Sequence, residues 1–79
     1  MFPVGTVVCS QAGRDSGKLL VVTGCEENFV CVCDGKERPL DNPKRKNPKH
    51  ISPTDKVIGE AEMKSDRALR RALAQLKER

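Results

Sequence analysis

The chain has no tryptophan and no tyrosine, and its only phenylalanines are Phe2 and Phe29. Proteins that read single-stranded nucleic acid stack bases on exposed aromatic rings, so letter-by-letter reading of that kind is not expected. Histidine occurs once, at His50, and the sequence aims no nucleophile or carboxylate at it. No catalytic group is therefore assigned, and the chain reads as a non-enzyme. No run approaches the roughly 18 apolar residues of a membrane span. The start, Met1-Phe2-Pro3-Val4-Gly5, lacks a basic segment followed by an apolar one, so no secretory signal is read there and the cytoplasm is the expected address. There is no internal repeat and no low-complexity tract. At 79 residues one small domain is expected, burying only about 60% of its unfolded surface. That leaves no room for a doubly wound nucleotide fold or a deep, dry active site.

What the chain does have is charge: fifteen Lys and Arg against eleven Asp and Glu, a net +4. The charge is unevenly spread. Residues 36–50 carry eight charges, six of them positive, with Pro39, Pro43 and Pro48 between them. Residues 4–33 hold seven of the eight Val and all four Cys. The four cysteines, Cys9, Cys25, Cys31 and Cys33, would suggest disulfides only in a secreted context. Zinc sites usually show paired Cys-x2-Cys knuckles or Cys with His, whereas the one close pair here is Cys31-Val32-Cys33. Thiols filling a small core are the expectation, with no metal and no cofactor.

Three short Val-rich runs read as strands: Val4 to Cys9, Leu19 to Thr23 and Phe29 to Cys33. They are nearly continuous rather than alternating, which predicts a sheet with one face inside and the other under a further element. Phe29 is expected in the core. The connectors are residues 11–17, the turn 24–28 and the tight Asp34-Gly35 signal. A fourth strand is expected over Lys36 to Leu40, weakened by Pro39, and a fifth around Lys49 to Ser52. The tail reads as a helix: Ser65 as N-cap, Asp66 at the positive end of the dipole, and Leu69, Leu73 and Leu76 at helical spacing. These leucines are expected to cover an exposed sheet face, with Arg67, Arg70 and Arg71 outward. The strand spacing fits an all-β barrel or sandwich over 1–54, followed by a linker or extension over 55–64 and a basic amphipathic helix over 65–79.

Gly13-Arg14-Asp15-Ser16-Gly17-Lys18 is the sharpest local motif. It is not a nucleotide-binding P-loop. Only three residues separate the glycines, Leu19 stands where Ser or Thr would hold magnesium, and a strand rather than a helix N-terminus follows. Glycine, a loop and then Gly-Lys entering a Val-rich strand instead resembles the KOW motif. The resemblance runs from Val4-Gly5-Thr6-Val7-Val8 through this loop to Val21-Val22. It continues through Phe29 to Lys36, Pro43-Lys44-Arg45-Lys46 and Lys49-His50-Ile51-Ser52-Pro53-Thr54. Over residues 4–54 the chain looks like the short KOW-domain RNA-binding proteins of bacteria, and it is also similar to the small KOW-bearing large-subunit ribosomal proteins of archaea and eukaryotes. Pro39 and the helix after Ser65 depart from the shared part.

The resemblance implies a mostly β fold, a small SH3-like five-stranded barrel with a C-terminal helix, contacting structured RNA of the ribosome. The residues support this independently. Gly13 and Gly17 can expose backbone amides to phosphate oxygens, with Arg14 and Lys18 as cations at either end of the loop. Lys44, Arg45, Lys46, Lys49 and His50 are expected to form a second, basic loop stiffened by prolines, and Lys36 and Arg38 add charge before it. Such a surface suits a reader of RNA backbone and shape. Glu26 and Glu27 read as solvent-facing. Two other functions fit less of the sequence: a KOW-type protein-interaction module of the transcription or translation machinery, and a zinc- or redox-linked cysteine protein. The helix is also a possible protein contact.

Overall fold

The computed structural model describes residues 2–11, 13 and 16–77. Five strands form one antiparallel sheet: β1 (Thr6–Ser10), β2 (Leu19–Cys25), β3 (Val30–Cys33), β4 (Lys44–Lys46) and β5 (Ile51–Val57), in the order β4-β3-β2-β1-β5. A 3-10 turn (Pro48–His50) joins the two outer strands, a second one (Glu60–Met63) follows β5, and α1 (Asp66–Lys77) closes the chain. This is the mostly β, SH3-like barrel architecture with a C-terminal helix that the resemblance implies.

Each strand of the centre is buried on both sides. In register, Val7 opposes Val21 and Val21 opposes Cys33. That row packs with Ile58, Leu69 and Leu73, so the helix lies on it. The alternate residues, Val8, Leu20, Val22, Val30 and Val32, turn the other way and gather with Ile51 and Phe2 inside the barrel. A period of two on a sheet covered twice gives continuous apolar runs, which is why the pattern in the sequence did not alternate. The helix is capped as expected: Ser65 Oγ accepts the Ala68 N–H at 3.1 Å. Asp66 does more than favour the dipole, since its Oδ1 accepts the Leu40 N–H at 2.7 Å.

Four expectations are corrected. Residues 36–40 are not a strand. Asp34 Oδ1 accepts the N–H groups of Lys36 and Arg38, both at 2.9 Å, and Pro39 brings no N–H to a ladder. Leu40 then leaves for the helix, so the fourth strand is Lys44–Lys46, within the expected basic loop. β5 runs on to Val57 instead of ending near Ser52. The stretch 55–64 thus completes that strand and buries Ile58 beneath the helix. The β1–β5 register shifts between Thr6 and Val8, where Thr54 Oγ1 donates to the Val7 carbonyl at 2.7 Å, and a bulge in an edge strand hinders pairing with other chains. Phe29 is not core; it is 41% exposed. Its carbonyl accepts the Glu26 N–H at 2.8 Å, which holds it in the turn before β3. Phe2 packs against the barrel interior in its stead. The thiols, finally, are not uniformly buried: Cys33 is, Cys9 and Cys31 are half-buried, and Cys25 is exposed.

Gly35 carries a structural demand. Its φ is +79°, and a Cβ there would fall against the Asp66 carbonyl oxygen and 3.2 Å from the Arg70 backbone nitrogen. Left-handed backbone costs a side chain about 1–2 kcal/mol, and forcing the helix start outward adds to it. Gly35→Ala is expected to lose about 2–3 kcal/mol, read as a lower urea midpoint. Gly24→Ala is the reference, with nothing within 4 Å of an added Cβ.

Cys33 makes a second prediction. Burial, reinforced by the negative charges of Asp66 and Asp34, pushes its thiol up to about 12 from an ordinary 9.0. The folded protein therefore holds a proton that the unfolded chain releases near pH 9. The stabilisation is complete below that pH and is lost as pH rises from about 9 to 12. The slope of stability against pH in that window should flatten in Cys33→Val. At neutral pH, alkylation should be fast at Cys25 and blocked at Cys33 until the protein unfolds.

Candidate nucleic-acid interface

Two hairpin-like segments meet at one end of the barrel. The first is the loop between β1 and β2. Gly17 N–H donates to the Ser10 carbonyl at 2.8 Å and Ser10 N–H to the Lys18 carbonyl at 3.0 Å, closing its base. Gly13 has φ +76° and nothing within 4 Å of where a Cβ would sit. It is an exposed, left-handed tip at which a ligand can approach the backbone closely. The second segment is β4 with the 3-10 turn after it. Asn47 Oδ1 accepts the Lys49 N–H at 2.9 Å, with Pro48 at the first position of the turn. The segments are fastened together where Gln11 N–H donates to the His50 carbonyl at 2.7 Å.

Between them lies a shallow depression of about 300 Å³ lined by Gly13, Lys44, Arg45, Lys46, Asn47 and His50. The two predicted tips are thus adjacent. The basic triplet is nevertheless not one uniform patch. In register with β3, Lys44 opposes Val32 and Lys46 opposes Val30, while Arg45 opposes Cys31, so the lysines and the arginine leave opposite faces of β4. Lys44 and Arg45 are exposed and Lys46 is half-buried. Arg45 Nη1 lies 3.4 Å from Glu26 Oε1, both side chains largely exposed. Lys46 Nζ donates to Ser10 Oγ at 2.9 Å. Lys49 and His50 are exposed on the turn.

The other predicted residues fall elsewhere. Lys18 pairs with Glu37. Both line a second depression of about 370 Å³ with Leu19, Asp34, Lys36, Arg70 and Leu73, against the helix. Mixed charge makes that site a weaker match for polyanion than the first. Arg38 is half-buried, and its carbonyl accepts the N–H groups of Asp34 and Gly35 at 3.0 and 3.1 Å, holding the turn. Arg14 lies outside the described residues. Sequence reasoning overlooked Asn47 and Ser10, and it read Glu26 and Arg70 as facing outward without their partners. Asn before Pro is a legible cap signal. Arg70, whose Nη1 donates to the Gly35 carbonyl at 2.6 Å, and the other two follow only from the folded chain.

The remaining chemistry is sparse. Among the described residues no three His, Cys, Asp or Glu side chains are grouped to hold a metal ion, and no helix is long and apolar enough to cross a membrane. No family model matches the chain. Curated archaeal proteins do. Large ribosomal subunit protein eL14 of Staphylothermus marinus is 38% identical over 72 residues, covering 90% of this chain and 75% of that protein. The eL14 of Pyrobaculum calidifontis is 38% identical over 74 residues, covering 92% and 72%. That of Desulfurococcus amylolyticus is 32% identical over 73 residues, covering 91% and 76%. Of the two resemblances drawn from the sequence, the large-subunit one holds, and the comparison with bacterial KOW proteins gives way to these archaeal relatives.

Proposed function

The chain belongs to the eL14 family of large ribosomal subunit proteins, and from that premise we propose that it is a non-enzymatic component of the large subunit that grips the backbone of folded ribosomal RNA in the cytoplasm. The interface proposed is the depression shared by Gly13, Lys44, Arg45, Asn47 and His50, extended by Lys49. The observation that carries this reading is the fastening of an open glycine tip against an exposed cationic strand. Phosphate oxygens accept from bare amides and from cations, and one groove here offers both. The lack of a stacking platform fits the same mode. Among the described residues, Phe29 is an exposed ring and Phe2 is half-buried, too few for successive bases.

The test is assembly. A tagged chain expressed in an archaeal host is expected to sediment with the large subunit in a sucrose gradient and to stay there through a moderate salt wash. Recovery only at the top of the gradient would overturn the reading. The protein-interaction alternative predicts retention that survives nuclease digestion of the RNA.

A further inference from the structure

Phe29 holds its ring in water. It belongs to neither core cluster, whereas the chain's other ring, Phe2, packs against the barrel interior. Its backbone is fixed on both sides. Glu26 N–H donates to the Phe29 carbonyl at 2.8 Å, Phe29 N–H donates to the Glu26 carbonyl at 3.4 Å, and β3 begins at the next residue. Val30 points into the barrel, so the alternation of the strand sends Phe29 outward, to the side of Cys31 and its partner Arg45. The ladder between β3 and β4 ends on Val30 with Lys46, and one step further along each chain stand Phe29 and Asn47. Asn47 and Arg45 both line the groove beside Gly13, and Arg45 is tied to the same turn through Glu26. The ring therefore stands at the rim of the cationic groove.

Resting on the RNA-backbone reading above, we propose that Phe29 stacks a single unpaired base, and that the RNA taken by the groove carries an unstacked nucleotide, in a bulge or loop, beside the strand it presents. One ring does not hold successive bases. Folded RNA, however, turns single bases out of its helices, and such bases stack on aromatic rings. The surrounding charge favours a base over a phosphate at this spot. Glu26 and Glu27 are exposed beside the ring and repel a backbone phosphate, while a base carries no charge. The cations lie across the rim, along β4 and the turn after it. A nucleotide with its phosphate in the groove and its base over Phe29 meets both environments. Phe29 is neutral, so its loss should lower affinity without changing the salt dependence, because the slope counts neutralised phosphates.

The experiment measures binding of the full chain to purified large-subunit RNA across a salt series, for wild type, Phe29→Ala, Phe29→Leu and Phe29→Trp. Urea melts check that each is folded. Stacking predicts a loss of about 5- to 150-fold for Phe29→Ala with an unchanged log–log slope. Phe29→Leu keeps apolar bulk without a π-face and should lose most of the same factor, while Phe29→Trp should bind at least as tightly as wild type. The chain has no tryptophan, so Phe29→Trp also places a lone fluorescent reporter at the site, and a base stacked on it should quench its emission at saturating RNA. Val57→Trp is the reference. Val57 is 73% exposed and pairs with Thr6, at the end of β5 away from His50 and the groove, and a tryptophan there should keep its emission. The proposal is overturned if Phe29→Ala or Phe29→Leu binds as wild type does, or if the two tryptophans respond alike. Should Phe29→Ala fail to fold, the tryptophan comparison decides alone. Wild type with no salt-dependent binding would instead sink the RNA-backbone reading itself.

Discussion

Leu69→Ala is expected to cost about 2–5 kcal/mol of folding stability, lowering the urea midpoint by about 2 M or more at an unchanged slope. Leu69 is fully buried and sits among Val7, Val21, Cys33, Ile58 and Leu73. Among the described residues, the helix covers the row of β1, β2 and β3 beneath it with Leu69, Leu73 and their partly buried neighbours Ala72 and Leu76. Removing three carbons there leaves a cavity between a rigid sheet and a helix that has little means to collapse into it. A domain of this size holds about 4–12 kcal/mol in total. The loss therefore takes a large share, and a twelve-residue helix is marginal without a docking surface. Gln75→Ala, on the exposed side, should stay within about 0.5 kcal/mol of wild type. A Leu69→Ala protein as stable as that control would mean the helix is an appendage rather than the second wall of the core.

That second wall was legible before any coordinates, because continuous Val runs together with a leucine-striped helix can be satisfied only by a sheet buried twice. The capping serine was legible for the same local reason. What misled was chemistry acting at a distance. Residues 36–40 follow a hairpin signal, but Asp34 folds the turn on itself and Asp66, 26 residues away from Leu40, takes the amide a ladder would have used. The Lys44-Arg45-Lys46 triplet carries poor strand formers flanked by proline, so local preference gave a loop. Pairing with β3 overrides that preference. The same strand assignment explains what happened to the candidate site. Read as a loop, the triplet is one cluster; read as a strand, it divides between two faces, and one member turns inward to Ser10. Lys18 lies apart from that groove for a similar reason, pairing with Glu37, which is distant in sequence, and Lys36 shares the same mixed-charge depression with Asp34 and Glu37.

The largest effect on binding is expected for the triple change Lys44→Ala, Arg45→Ala and Lys49→Ala. With roughly five phosphates met, the wild-type slope of log affinity against log salt should be roughly −3.5 to −4.5. Removing three contacts brings it to roughly −1.4 to −1.8, and near 0.1 M salt the accompanying loss is roughly 100- to 500-fold. Folding should hardly suffer. Lys44 and Lys49 are exposed, and Arg45 gives up only a surface pair with Glu26, a contact worth about 0–1 kcal/mol. Lys36→Ala, in the mixed-charge depression by the helix, is the control of equal sign and similar exposure; it should leave the slope within about 0.3 of wild type, well short of the 0.7–0.9 per lost phosphate. The comparison separates a directed interface from general basicity. If charge anywhere on the surface served equally, Lys36→Ala would match a single member of the triple. If the fastened groove is the interface, only charges around Gly13 move the slope, and a triple variant that binds as wild type does would remove the groove from the RNA-facing surface altogether.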